Sequence, residues 1–416
     1  MEVSWCRKMT EIVAHKGDYH QTIVFGKLKC LELSYLDSLT NFCPGSYTFN
    51  FPCLEEVVVE ECPKLMIFSD GVLSTPQLQS VKQGRFDKKE CWVGDLNTTT
   101  QQCIEKDLTI SDTFPELEIW QRNPQEILEL QNITKMEFYK CSSLEYIFTS
   151  SMLLSLKQLE SIEVKECSIM EQVIREDEEE ATTHELKFPR LISIEIKSCS
   201  NLTNFYLGSR ALKFPKLRDI WIDDCPKMTA LSSSISRKSE KLTGEEDVKD
   251  NTTALFCDKV DVPSLEMMTI SKLSNVKMIF HTNLPSNSFQ SLRELSVSEC
   301  EILKNLFPAS IAKHLLQLED LSISDCGVEE IVSKGKGVED QPVRFEFPKV
   351  SSLEVTSLKE LKCFYKRQHT IVWPMLKKLT ADGSALLRIV GLEDVRLMQE
   401  RKGNGEAVLV VEEIYP

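Results

Sequence analysis

Along this chain an apolar residue, any residue, a second apolar residue and two more residues lead repeatedly to a cysteine. The phrase reads Val57-x-Val59-x-x-Cys62, Met136-x-Phe138-x-x-Cys141, Ile162-x-Val164-x-x-Cys167 and Ile194-x-Ile196-x-x-Cys199. It returns as Ile220-x-Ile222-x-x-Cys225, Leu295-x-Val297-x-x-Cys300 and Leu321-x-Ile323-x-x-Cys326. Leu31, Met268 and Leu353 open copies that close on Leu36, Leu273 and Leu358. Strict alternation over so few residues predicts a short strand with one buried face. Weaker copies begin at Met1, Val81, Leu108 and Leu379. Together they predict about 14 strands, mostly 26 or 27 residues apart.

Each strand is preceded, three residues earlier, by an apolar anchor: Leu28, Leu54, Leu159, Leu191, Leu217, Leu265, Leu292, Leu318 or Val350. Many anchors follow an aromatic–proline pair, such as Phe51-Pro52, Phe188-Pro189, Phe214-Pro215, Phe347-Pro348 and Trp373-Pro374. Proline has no N–H for a ladder, so it suits the entry to a strand. Apolar residues recur after the strand, as in Leu65 and Phe68, Leu202 and Phe205, or Leu303 and Phe307. One such unit cannot bury its own apolar face, whereas stacked units share a continuous core.

The pattern resembles the leucine-rich repeat, in which Asn or Cys follows a short strand. It implies an α/β solenoid: a horseshoe with a concave parallel sheet and an irregular or helical convex side. The repeats divide into two blocks, 1–231 and 259–400. Between them the stretch Ser232 to Asp258 is polar and charged and is expected to be a surface excursion. A tail over 401–416, with an apolar run from Ala407 to Val411, is expected to cap the core. Acidic residues from Glu176 to Glu180 form a further expected loop.

A net charge of −15 argues against nucleic acid or an anionic membrane surface as partner. No run of 18 apolar residues predicts a membrane span, and no apolar signal core opens the chain. Fifteen cysteines would suit a disulfide framework, but eight of them occupy one repeat position and none forms C-x-x-C. Cys62, Cys141, Cys167, Cys199, Cys225, Cys300 and Cys326 are therefore expected to be buried, reduced and structural. Reduced thiols point to the cytosol or nucleus, and a cytoplasmic location is expected.

Three segments carry a more specific resemblance: FPCLEEVVVEECPKL at 51–65, FPKLRDIWIDDCPKM at 214–228, and Phe289 to Val332. They resemble the C-terminal leucine-rich region of plant nucleotide-binding disease-resistance receptors of the coiled-coil class. The resemblance implies a segment that recognises pathogen effectors or modified host proteins and restrains a nucleotide-binding domain. No G-x-x-x-x-G-K-[ST] loop lies in the chain, so nucleotide binding is not assigned to it. The chain is expected to be either part of a longer receptor or a repeat-only relative.

Candidate chemistry is sparse. None of the six histidines lies in H-E-x-x-H, and no G-x-S-x-G elbow occurs, so no catalytic site, metal or cofactor is expected. The outward strand positions are more informative. Between the two apolar residues stand Glu137, Glu163, Glu195 and then Trp221; two residues further along stand Tyr139, Lys165, Lys197 and Asp223. Such columns are either a self-compensating polar surface or a protein-binding face anchored on Trp221 and Tyr139. The following copies carry Thr269, Ser296 and Ser322, which admit close approach but offer few anchors. Two rival roles remain: a substrate adaptor for ubiquitin transfer, which would need an added ligase-binding module, and a structural scaffold.

Overall fold

The computed structural model describes residues 1–14, 22–45, 47–62, 65, 67–84, 90–103, 106–112, 133–177, 185–233, 254–285, 288–334 and 342–381. All fourteen expected segments form strands. They are β1 (Glu2–Ser4), β2 (Cys30–Ser34), β3 (Glu56–Glu60), β4 (Val81–Gln83), β5 (Lys106–Ser111), β6 (Ile133–Tyr139) and β7 (Ser161–Lys165). They continue as β8 (Ser193–Lys197), β9 (Asp219–Asp223), β10 (Met267–Ser271), β11 (Glu294–Ser298), β12 (Asp320–Ser324), β13 (Ser352–Thr356) and β14 (Lys378–Ala381). The chain divides into two units, the first made of Met1–Thr109, Gln125–Glu137 and Leu156–Leu159, the second of the remainder.

In the first unit β1 to β4 run parallel and in repeat register, with Val3 beside Leu33, Leu33 beside Val59 and Val57 beside Val81. Glu90–Cys91 adds a short antiparallel strand to β4. The apolar strand residues Leu31, Leu33, Val57 and Val59 and the anchor Leu54 are buried. Aromatic rings stack from one repeat to the next: Phe25 on Phe51 at 4.9 Å and Phe42 on Phe68 at 4.6 Å. Where the convex turn would leave amides unpaired, the Asn97 side chain accepts from the N–H groups of Phe68 and Ser69 and donates to the Ser69 carbonyl.

In the second unit β7 to β14 form a parallel run in which equivalent repeat positions are paired. Ile162, Ile194, Ile220, Met268, Leu295, Leu321, Leu353 and Leu379 make one continuous row. Opposite that sheet the backbone is largely extended. Gln172–Arg175, Asn204–Leu207 and Ala230–Ser233 pair in parallel, as do Val343–Glu346 and His369–Val372. Helix among the described residues of this unit is limited to single turns, Met152–Leu154 and Ala309–Ala312. The aromatic–proline entries stack here too, Phe188 on Phe214 at 5.2 Å and Phe347 on Trp373 at 4.4 Å.

One residue per turn bends the chain out of the sheet. Tyr35, Glu61, Lys140, Glu166, Ser198, Asp224, Lys272, Glu299, Asp325 and Ser357 all have φ between 49° and 55°. Each directly precedes the Cys or Leu that closes the phrase. Its N–H still donates to the next strand, as from Glu166 to Lys197 at 2.9 Å and from Glu299 to Ser324 at 3.1 Å. The cysteine that follows turns inward. Its thiol donates to a carbonyl of the preceding repeat: Cys62 to Leu33, Cys141 to Ile110, Cys167 to Phe138 and Cys326 to Val297. All seven named cysteines are free and buried. Burial pushes the Cys62 thiol up to about 11. Cys6, at the eighth position, is exposed, and Cys91, outside the column, is disulfide-bonded.

The expected excursion over 232–258 is built into the coil at both ends. Ser232 is buried at the end of a strand. Ala254, Leu255 and Phe256 are buried as well, with backbone bonds from Leu255 to Met278 and from Phe256 to Ile279. Phe256 packs edge-on against Phe289 at 5.1 Å and stacks on Phe280 at 5.9 Å. Residues 234–253 and the tail 401–416 lie outside the described residues. The acidic loop likewise begins tied down: Arg210 lies 3.2 Å from Glu176, and Asp177 accepts from Ser150 at 2.9 Å and from the Ser151 N–H at 2.7 Å.

Two stability outcomes follow. Phe256→Ala should cost about 3–5 kcal/mol, the range for a buried phenylalanine, in contrast to a residue of a solvated excursion. Glu299→Val should cost about 1–3 kcal/mol, because a β-branched residue is poorly tolerated at positive φ. Denaturant melts of the two variants check both.

Candidate protein-binding face

The outward side chains of β7 to β9 are stitched together by charge. Lys165 Nζ lies 2.6 Å from Glu163 and 3.6 Å from Glu195, and Lys197 Nζ lies 2.7 Å from Glu195. The same Lys197 ammonium stands 3.5 Å from the centre of the Trp221 ring. In-register pairing causes this, since it sets Glu163 beside Glu195, Lys165 beside Lys197 and Glu195 beside Trp221. The four charges and the indole thus form one row, and their mutual pairing leaves little of them unsatisfied for a partner. Trp221 nevertheless remains 46% exposed.

The other candidates are placed differently. Tyr139 is 37% exposed, with the Lys140 ammonium 4.8 Å from its ring centre. Asp223 is half-buried on the Trp221 strand. Glu137 is half-buried and belongs to the first unit.

Beside Trp221 the sheet face falls away into a depression of about 400 Å³. Its floor is low because the residues in register with Trp221 on β10, β11 and β12 are the short Thr269, Ser296 and Ser322. Its other border is a column that the sequence reading did not single out: the first residue of each strand. Here Asp219, Met267, Glu294 and Asp320 are in register. Met267 is 42% exposed, and Glu294 and Asp320 are exposed carboxylates on adjacent strands. No ion pair joins Asp219, Glu294 or Asp320 to a described residue. The neighbouring cations are committed elsewhere, Arg218 to Glu266 at 3.6 Å and Arg293 to Glu319 by two bonds of 3.1 and 3.0 Å. No lysine, arginine or histidine lines the depression.

The arrangement offers shape, an aromatic edge, a thioether and carboxylates that form no ion pair with a described residue. Among the described residues no group of three or more His, Cys, Asp or Glu is placed to hold a metal. No helix there is long and apolar enough to cross a membrane.

Asp219 carries a measurable consequence of this. Burial, and then the Glu266 carboxylate, raise its pKa against the opposing pull of Arg218. A carboxyl whose folded pKa is raised destabilises the fold when ionised. The penalty is therefore full at neutral pH and fades as pH falls through the raised value. Asp219→Asn should raise the melting temperature near pH 7, and the gain should shrink toward pH 4, when both proteins are followed by circular dichroism.

Two stretches of the chain, residues 87–168 and 239–327, match a family model described as plant disease resistance protein RPS2-like, leucine-rich repeats. No curated protein matches the chain in sequence. The second stretch contains Met267, Glu294 and Asp320, whereas Asp219 and Trp221 lie between the two. The match falls on strands β5 to β7 and β10 to β12, of which β6, β7, β11 and β12 close on a cysteine. Over these two stretches the chain is similar to the leucine-rich repeats of RPS2-like plant disease resistance proteins.

Proposed function

We propose that this chain is a non-catalytic recognition segment of a cytoplasmic plant immune receptor. It senses a pathogen effector or a modified host protein and restrains a nucleotide-binding domain. The repeat fold is a protein-interaction fold, and the family match gives the resistance context. The observation that carries the reading is Trp221, a large aromatic left half-exposed on a sheet face at the edge of a depression. An exposed indole on a rigid strand has much area to bury and little rotamer freedom to lose, which is the profile of a binding hot spot. The free, buried thiols of the repeat column fit a reducing compartment, whereas the disulfide at Cys91 does not.

Trp221→Ala combined with Tyr139→Ala should weaken binding of an effector, host protein or nucleotide-binding domain by about 2 kcal/mol or more. The melting transition should change little, because both side chains point outward. Titration calorimetry of the variant alongside its thermal melt separates the outcomes. Undiminished binding would remove this face from the recognition role, and a collapsed melt would mean that the rings hold the fold together.

A further inference from the structure

Resting on that recognition role, we propose that the depression beside Trp221 receives a basic peptide segment of the partner, with two cationic side chains three or four residues apart. The ordering of the border column leads to this. Across β9 to β12 it reads acid, thioether, acid, acid, as Asp219, Met267, Glu294 and Asp320. Neighbouring strands lie about 4.8 Å apart, so Asp219 stands roughly 10–14 Å from the Glu294–Asp320 pair. An extended segment advances about 3.1–3.3 Å per residue and spans that distance in three or four residues, with i and i+3 on one face in a polyproline II conformation and i and i+4 on one face in a β conformation.

The second cation would sit between Glu294 and Asp320, two like charges on adjacent strands that form no ion pair with a described residue. The first would meet the half-buried Asp219. Met267 between them provides a soft apolar surface for the aliphatic stems of lysine or arginine, which prefer to lie on such ground with the charged head beyond it. The Trp221 edge adds area for the same stems. The depression continues past Trp221 to Glu163 and Glu195, where the charges differ in kind. Glu163 and Glu195 already hold Lys165 and Lys197, so an incoming cation there would have to displace an existing partner. The complementarity is thus confined to the column from Asp219 to Asp320, and an acidic or neutral partner segment gains nothing from it.

The test pans a random dodecapeptide display library against the intact chain, in parallel with a variant carrying Asp219→Asn, Glu294→Gln and Asp320→Asn. Peptides selected on the native chain should be rich in Arg and Lys at i and i+3 or i+4. A selected peptide, measured by fluorescence anisotropy, should bind the triple variant at least ~10-fold more weakly, because surface ion pairs and steering charge are lost together. It should also weaken between about 50 mM and about 500 mM salt. Should the triple variant melt early, Glu294→Gln alone, at a fully outward position, should give a smaller loss of the same sign. Selected peptides that lack basic residues yet depend on Trp221 would overturn the cationic assignment and leave the recognition role standing. Selected peptides indifferent to both Trp221 and the three carboxylates, or no selected peptides at all, would overturn both.

Discussion

Ten of the described turns of this protein close on a single residue held in the left-handed region just before the inward cysteine or leucine. For a residue with a Cβ that conformation is unfavourable by about 1–2 kcal/mol. It recurs from Tyr35 to Ser357 within a few degrees. The surroundings over-determine it: its N–H continues the strand ladder, and the residue after it is drawn into the core. The cysteine suits that place because it is small and buried and has one weak donor to offer the carbonyl of the repeat before. A larger apolar residue, such as Leu36, fills the space without the donor. Leu273 and Leu358 are buried in the same way, so the turn tolerates either solution. Fixing the turn also fixes the register, and the register decides which side chains meet.

On the outward face that register can cancel charge or concentrate it. Where Glu and Lys alternate along a strand, as on β7 and β8, in-register stacking would set like charges side by side. The lysines lean back onto the glutamates of their own and neighbouring strands, and the row compensates itself. From β9 to β13 the lysines are gone from the outward positions. The same geometry then lines up Asp219, Glu294 and Asp320 with only Met267 between, and the arginines at the strand entries are taken by Glu266 and Glu319. The change from a neutral surface to an acidic one therefore comes from two or three identities in a constant framework.

The framework was legible in the sequence because it rests on period and alternation. All fourteen strands, the buried anchors and the stacked aromatic entries lie where spacing places them. The polar composition of 232–258 misled at its edges, since Ala254, Leu255 and Phe256 are only a short apolar run after a long polar one. Nothing local marks them as core until Met278 and Ile279 are seen beside them. On the binding face each strand offers three outward positions, one more than the pair that flanks its second apolar residue. Asp219, Met267, Glu294 and Asp320 precede the first apolar residue, and the pattern of alternation extends to them. That signal was present. What the sequence does not display is which carboxylates find a cation, because Arg218 and Arg293 sit next to Asp219 and Glu294 in the chain yet point to Glu266 and Glu319.

A compact globule would have reason to remove an unpaired half-buried carboxylate such as Asp219, since the whole core shares the destabilisation. In a solenoid each repeat contacts mainly its neighbours, so stability is close to a sum of repeat and interface terms. A local penalty at β9 is then carried by the continuous apolar row on the inner side of the same sheet, which loses nothing when an outward residue changes. Inner and outer faces of one strand are in this sense independent: Ile220 and Ile222 hold the coil while Asp219, Trp221 and Asp223 are free to vary. That independence is what lets a strand in a fixed register keep an energetically poor outward residue beside an exposed tryptophan.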